Sequence, residues 1–174
     1  MIPLKEATAE KHKQAERMPF NVRMFRGQLG KEEYFLYLVQ QAEIFKVIED
    51  IGTPHKGLDR LASVQADILE LNAAGFAQED VLESTNAYSQ YLSKLNAEQV
   101  LPHVYLNYLA IMFGGQMMKK AVPSKGRMYD FENMQEALQA VRRVQKDEWA
   151  DEVNKGFDYL IAIFDELEKV TVNQ

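Results

Sequence analysis

The amino-acid sequence predicts an all-α fold. Only 9 glycines and 5 prolines occur among 174 residues, whereas the helix-favouring Ala, Leu, Glu, Lys, Gln and Met are abundant. Apolar residues recur at spacings of three and four, which is the period of one helical face, and no stretch alternates convincingly as a strand does. No internal repeat or linker divides the chain. We therefore expect a single-domain multihelical bundle over residues 1–174.

The net charge and the composition exclude several classes of protein. The formal charge of −6 and the isoelectric point near 5.2 argue against nucleic acid as the main partner, because phosphate binding requires a basic face. The chain has no cysteine, which excludes disulfides, thiolate ligands and a cysteine nucleophile, and which a reducing cytosol permits. Any metal or axial ligand must therefore be a histidine, a methionine, a tyrosine or a carboxylate.

Hydropathy along the chain points to a soluble, cytoplasmic protein. The first residues, Met1–Glu6, lack the long apolar run that follows the basic segment of a secretory signal. The most apolar windows, Tyr105–Phe113 and Tyr159–Phe164, are much shorter than the roughly 20 residues of a membrane span. We therefore expect neither export nor a membrane span.

The first predicted helix runs from about Pro3, a residue that suits a first helical turn, to about Glu16. Leu4, Thr8 and His12 recur every four residues on one face, which places a histidine in the inward stripe. Residues 17–27 are expected to form a short irregular or helical segment.

A longer helix is predicted from Gly30 to about Ile51, followed by a loop over residues 52–57. Its expected core face consists of Tyr34, Leu36, Tyr37, Gln41, Ile44, Phe45 and Ile48. Five further helices are predicted from the same apolar period and from the Gly, Pro and Asn residues that interrupt it. They cover residues 58–74, residues 81 or 84 to 95, and residues 97–121, 133–149 and 151–170.

The helix over residues 97–121 contains two adjacent glycines, Gly114 and Gly115, at its apolar centre. A glycine inside a helix costs about 1 kcal/mol relative to alanine, so the pair requires an explanation. One explanation is a kink, or the close approach of another helix. The other is a flat ligand against the bare backbone, which the neighbouring Met112, Phe113 and Met117 would suit. The stretch alone leaves both open.

The three histidines favour different roles. His55 lies in a loop and is expected to be exposed to solvent, and His103 is expected to be a hydrogen-bonding residue of the core. His12 has Glu16 one helical turn later, which is able to accept a hydrogen bond from one ring nitrogen while the other nitrogen binds a metal. A histidine that is merely satisfied by Glu16 is the alternative.

Several enzyme classes lack their sequence signatures. Di-metal helical oxidases require Glu-x-x-His pairs, but Ala9, Gly52 and Val100 occupy the positions three residues before the histidines. The chain has no local signature of Ser-His-Asp catalysis, and Gly114-Gly115 lacks the spacing of a phosphate loop.

Taken together, His12 and the glycine pair resemble the two sides of the pocket in the heme (haem) oxygenase family. Residues 4–16 resemble the family's proximal helix, and the likeness continues through residues 20–28, Tyr34 and Glu49. Residues 108–116 fall on the family's distal pattern Tyr-Leu-Gly-Asp-Leu-Ser-Gly-Gly-Gln. Further similarity is found at His103, Tyr105, residues 128–131 and residues 157–167.

This resemblance implies a heme between the first helix and a kinked glycine helix. His12 would be the axial ligand of the iron, oriented by Glu16, while the backbone of Gly114 and Gly115 would touch the porphyrin. The implied propionate partners are Lys5, Tyr105 and either Arg142 or Arg143. Phe157 and Met112 complete the implied heme-binding set. The implied activity is the opening of heme, which is both cofactor and substrate, to biliverdin, iron and carbon monoxide, with an external reductase or ferredoxin supplying electrons.

The distal side departs from the family pattern at the positions of its proton-handling residues. Ile111, Phe45 and Asn107 stand where the family has an aspartate, a tyrosine and an arginine, and Ala110 and Phe113 replace a glycine and a serine. Ile111 and Phe45 are unable to relay a proton. If oxygen is activated, we expect Asn107, Tyr108 or backbone carbonyls to order the waters that deliver protons, and Ile111, Asn107 and the glycine pair to form the catalytic face. The alternatives are a non-catalytic or weakly catalytic heme carrier, store or sensor, and a helical interaction module without a cofactor.

Overall fold

A computed structural model describes residues 1–73, 75 and 80–172. Within these residues the chain forms α-helices joined by loops and three 3-10 turns, with no strand. The helices are α1 (Leu4–Ala7), α2 (Ala9–Glu16), α3 (Pro19–Phe25), α4 (Lys31–Ile51), α5 (Leu61–Asn72), α6 (Glu83–Ser93), α7 (Leu101–Ala121), α8 (Met134–Val144) and α9 (Ala150–Val172). The 3-10 turns cover Lys56–Leu58, Arg127–Tyr129 and Asp147–Trp149. The predicted all-α class is therefore confirmed.

Two long helices organise the packing. The last helix, α9, lies against α2, α3, α6 and α7, while α4 packs against α5 and α6. The predicted core face of α4 is buried at every position, and burying each large apolar side chain of this kind contributes roughly 1.5–3 kcal/mol. Gly156 brings α9 close to α7, because a Cβ atom on Gly156 would lie only 2.5 Å from Cδ2 of Leu106.

The first predicted helix is divided at Thr8, and this break was not anticipated. Thr8 has φ −108° and ψ 2°, and its hydroxyl donates a hydrogen bond to the Leu4 carbonyl at 2.9 Å. A threonine that bonds back one turn in this way competes with the helical ladder and bends it. The start of α1 is held by Asp147, whose Oδ1 accepts from the Leu4 amide at 2.9 Å.

The predicted helix over residues 58–74 begins three residues late. Lys56–Leu58 forms a 3-10 turn instead, which is capped by His55 because its Nδ1 accepts from the Gly57 amide at 2.9 Å. The expectation that His55 is simply exposed was therefore wrong, since its side chain is only 29% exposed. The predicted end at Ala74 lies outside the described residues. The next predicted helix, from 81 or 84 to 95, corresponds to α6 and ends slightly earlier.

Two other predicted boundaries were wrong for local reasons. The glycine helix begins at Leu101 rather than Ala97, because Asn96 Oδ1 accepts from the Glu98 and Gln99 amides and holds a turn there. The helix predicted over residues 133–149 ends at Val144, because Gln145 adopts an extended conformation with ψ 134° before the following 3-10 turn.

Among the described residues, none of the helices combines the length and the apolar character needed to cross a bilayer.

Candidate functional site

His12 presents an exposed imidazole that is braced on two sides. Its Nε2 lies 2.8 Å from Oε1 of Glu16, one turn further along α2. The ring also stacks on Phe157 of α9, with 5.7 Å between ring centroids and 19° between planes. Although sequence periodicity placed His12 on an inward stripe, its side chain is 59% exposed. One ring nitrogen is thus paired with a carboxylate while the ring remains open to a ligand.

Gly115 interrupts the helical geometry of α7. Its φ of 50° and ψ of −142° lie in a region that residues with a side chain rarely adopt. A Cβ atom on Gly115 would meet no described atom within 4 Å. The glycine is therefore required by the backbone conformation, and the space beside it is open.

A different physical reason explains why position 114 is a glycine. A Cβ atom there would lie 2.8 Å from Cγ of Met118 and 3.4 Å from Cε1 of Tyr129, so the glycine permits close packing at the bend. The kink considered for this pair is present at Gly115. The close contacts at Gly114 come from Met118 of the same helix and from Tyr129 of a 3-10 turn, and not from another α-helix. The open face beside Gly115 also leaves room for a flat ligand.

Exposed apolar side chains flank the kink. Phe113 is 62% exposed and Met117 is 63% exposed, which is unusual for two large apolar residues so close together in one helix. Met112 and Met118, in contrast, are buried in the core. The open side of the kink therefore combines bare backbone with apolar side chains.

The residues expected to bind propionates are placed differently. Arg142 of α8 lies beside Tyr105 of α7, and its guanidinium lies 5.9 Å from the centroid of the Phe113 ring. Burial raises the pKa of Tyr105, and Arg142 opposes that shift. Arg143 instead lines a surface depression with Glu98, Lys146 and Trp149. Lys5 is exposed on α1.

The distal substitutions occupy the core of the molecule. Phe45 is fully buried and packs on Tyr108, with 5.0 Å between ring centroids. The Tyr108 hydroxyl donates to Oε2 of Glu49 at 2.9 Å, and Ile111 is 7% exposed. Asn107 donates through Nδ2 to the Tyr88 hydroxyl at 3.0 Å and to the His103 carbonyl at 2.9 Å. The donors expected to order waters are thus already paired within the protein.

His103 is a hydrogen-bonding residue of the core, as expected, but its partners were not anticipated. Its Nδ1 lies 2.7 Å from the Tyr88 hydroxyl, and its Nε2 lies 2.9 Å from Oε1 of Glu152. Sequence reasoning missed Glu152 because its contact with His103 spans 49 residues and leaves no local period. The residues that the structure describes contain no cluster of three or more His, Asp or Glu side chains able to hold a metal ion.

Comparisons with known proteins agree on one family. The family model described as heme oxygenase matches residues 2–156. Heme oxygenase 1 of Gallus gallus is 27% identical over 96% of this chain and 69% of its own length, and heme oxygenase 2 of Oryctolagus cuniculus is 24% identical over 95% and 65%. The chain thus spans about two-thirds of the length of these relatives.

Solved structures show the same fold. Heme oxygenase-1 of the cyanobacterium Synechocystis sp. PCC6803, in complex with heme, superposes with a TM-score of 0.82 at 20% identity, over 98% of this chain and 92% of its own. Heme oxygenase of Leptospira interrogans gives a TM-score of 0.78 at 22% identity, over 94% and 97%.

Proposed function

This chain belongs to the heme oxygenase family, and from that membership we propose that it binds heme between α2 and α7 and opens the ring to biliverdin, iron and carbon monoxide. Heme would be both cofactor and substrate. O2 and an external electron donor, a reductase or a ferredoxin, would be consumed. The cytoplasmic location expected from the sequence stays a prediction.

The observation that carries the proposal is the braced, exposed imidazole of His12. A heme ligand must offer a ring nitrogen to the iron while its other nitrogen is hydrogen-bonded, which fixes the orientation of the ring and raises its basicity. Glu16 supplies that hydrogen bond and Phe157 supports the ring face. The side chain is 59% exposed, so the ring is accessible to a ligand while it is held by these two contacts.

The other residues of the site also fit a porphyrin. The bare backbone at Gly115 suits close approach of a flat macrocycle, and Phe113 and Met117 offer apolar contact to its face. Arg142, next to Tyr105, is the better placed of the two arginines for a carboxylate, because Arg143 lines a different depression. When bound, heme supplies the iron that activates O2 and the carbon skeleton that is cleaved.

The protein's own distal groups would make ring opening slow. Ile111 and Phe45 exclude water and carry no proton. The Asn107 amide and the Tyr108 hydroxyl donate to partners inside the protein. Of the groups expected to hold a proton-delivering water, only the backbone carbonyls of α7 would then be left. We assign Gly114, Gly115, Asn107 and Ile111 to the face on which this chemistry takes place.

A second candidate function is heme carriage, storage or sensing without ring opening. The buried Ile111, at the position of the family's distal aspartate, favours it, because an isoleucine would contact a bound heme without supplying a proton. The binding residues are the same in both cases. The two candidates therefore differ only in what happens after reduction in the presence of O2.

Anaerobic heme titration followed by O2 and a reducing system distinguishes the two. Catalase is included, so that free hydrogen peroxide is removed. We expect heme to bind at a ratio of one per chain and its Soret band then to decay with the appearance of a biliverdin band. A stable Soret band after reduction and oxygenation would leave carriage, storage or sensing, and failure to bind heme at all would leave the interaction module.

A further inference from the structure

Three polar side chains from three helices form a continuous hydrogen-bonded chain in which His12 takes no part. Tyr88 of α6 and His103 of α7 are both fully buried, and Glu152 of α9 is 32% exposed. The Tyr88 hydroxyl lies 2.7 Å from Nδ1 of His103, and Nε2 of His103 lies 2.9 Å from Oε1 of Glu152. The chain thus runs from a buried phenol to a carboxylate at the surface.

The direction of these hydrogen bonds is determined by Glu152. An ionised carboxylate only accepts hydrogen bonds, so Nε2 of His103 carries the proton and donates it. Nδ1 is therefore the acceptor, and the Tyr88 hydroxyl donates to it. Burial lowers the pKa of His103, although Glu152 opposes the shift, and this keeps the ring neutral and able to accept. Asn107 completes the arrangement by donating to the phenol oxygen at 3.0 Å.

Aromatic rings connect Tyr88 with the surface. Tyr159 of α9 stacks on Tyr88 with 4.9 Å between centroids and 11° between planes. Tyr91 follows at 5.4 Å from Tyr159, and its hydroxyl donates to Glu152. Tyr159 and Tyr91 are partly exposed. These ring contacts therefore connect the buried Tyr88 with the protein surface.

We propose that Tyr88 is a redox-active tyrosine, oxidised by one electron while its proton moves to His103. The phenolic O–H bond breaks, an N–H bond forms at Nδ1, and one electron leaves for a soluble one-electron oxidant of high potential, which is reduced by that electron. The products are a neutral phenoxyl radical and an imidazolium paired with the Glu152 carboxylate. A soluble thiol then gives one electron through Tyr91 and Tyr159, becoming a thiyl radical and releasing its own proton to water, while the imidazolium returns its proton to the phenol oxygen.

Proton transfer to His103 is what makes Tyr88 different from the other buried tyrosines. Removing an electron alone would leave a phenol cation in a fully buried site, which is costly. Transfer of the proton avoids that charge on the ring, and Glu152 stabilises the charge that appears on the imidazole. Tyr34 is buried to the same extent, but none of the histidines in the described part of the chain bonds to its hydroxyl.

The test uses the heme-free protein, so its outcome is independent of the proposed heme chemistry. Flash photolysis of ruthenium tris-bipyridine with persulfate generates the oxidant, and time-resolved absorbance and electron paramagnetic resonance record phenoxyl radicals. The proteins compared are the parent, Tyr88→Phe, Glu152→Gln and the matched control Tyr34→Phe. Circular dichroism confirms folding, and Glu152→Gln, at a partly exposed position, keeps the test available if Tyr88→Phe does not fold.

We expect a long-lived phenoxyl radical in the parent and in Tyr34→Phe, and its loss in Tyr88→Phe. Glu152→Gln is expected to slow its formation about tenfold, as the loss of one charge-assisted hydrogen bond would, and deuterated solvent is expected to slow it further. A long-lived radical of undiminished yield in Tyr88→Phe would overturn the proposal. So would formation in Glu152→Gln at the parent's rate.

Discussion

Nε2 of His12 lies 2.8 Å from Oε1 of Glu16, and the two residues are separated by one turn of α2. Both side chains are about 60% exposed, so an isolated pair of this kind would contribute at most about 1 kcal/mol to stability. We propose that its role is instead to fix the orientation of the imidazole and to leave the other ring nitrogen, Nδ1, for a ligand. The predictions below begin from that pair.

Glu16→Gln is expected to weaken heme binding about tenfold while leaving the fold intact, because a carboxylate that orients a liganding histidine typically contributes that much. Heme titration followed by absorbance measures the change. The matched control is Glu10→Gln, an exposed position on the same helix, which is expected to bind heme as the parent does. Equal affinities for the two variants would contradict an orienting role for Glu16.

Gly115→Ala is expected to destabilise the protein by about 1–2 kcal/mol, because φ at this position is +50° and alanine is strained there. Urea denaturation measures the loss. Gln116→Ala, at the next and exposed position of α7, is the control and is expected to change stability by less than about 0.5 kcal/mol. If the two variants have the same midpoint, the kink does not depend on glycine.

Ile111→Asp is expected to speed ring opening, since it supplies a carboxylate to the dry distal side. Ile111→Asn is the matched control, because it is similar in size and polarity but carries no acid. The rate of biliverdin formation under one reducing system compares the two. If the Ile111→Asp variant degrades heme no faster than the parent, the absence of an acid at position 111 does not limit the rate of turnover.

Arg142→Ala is expected to weaken heme binding about tenfold, as the loss of a charge-assisted hydrogen bond to a propionate would. Arg143→Ala, on the adjacent residue of the same helix, removes the same charge from a surface depression that Arg143 lines with Glu98 and Lys146. Heme titration of the pair separates the two positions. A larger loss in Arg143→Ala would reverse the assignment.

The free energy of unfolding is expected to fall as the pH is lowered, because His103 and Glu152 both become protonated. Burial lowers the pKa of His103 below 6.5, so its contribution is complete above that pH and is lost as the pH falls. Burial alone would raise the pKa of Glu152, but hydrogen bonds from Tyr91 and His103 lower it overall, below 4.5. The carboxylate therefore contributes above that pH and is lost below it.

Urea midpoints across this pH range test the sign. Glu152→Gln is expected to have a shallower loss of stability below the ordinary carboxyl pKa of 4.5 than the parent. Glu148→Gln, which removes an exposed carboxylate in the preceding turn, is the control and should follow the parent. If the parent protein gained stability on acidification, the direction of the pH dependence expected for His103 and Glu152 would be contradicted.

The sequence predicted the parts of the molecule that follow a local period. The core face of α4 was anticipated from Tyr34 to Ile48 because each member recurs three or four residues after the last. Features that depend on side chains bonding to the backbone were missed. The break at Thr8 arises from its hydroxyl, and the late start of α7 arises from the cap at Asn96.

The candidate site was predictable where it resembles a family pattern and not where it depends on distant contacts. His12, Glu16 and the glycine pair were proposed as site residues from their spacing and from the resemblance, and their roles stay predictions. The separation of Arg142 from Arg143 required the position of α8 relative to Tyr105, and the partners of His103 required α9 to lie against α7. Gly156 permits that approach, but a single glycine in a helical pattern does not indicate which helix comes close.

Resonance Raman spectroscopy of the ferrous heme complex tests the central claim, that His12 binds the iron, most directly. We expect an iron–histidine stretching band in the parent and in His55→Ala, and its loss in His12→Ala with recovery when free imidazole is added. A band that persists unchanged in His12→Ala would contradict the assignment and, with it, the placement of heme against α2.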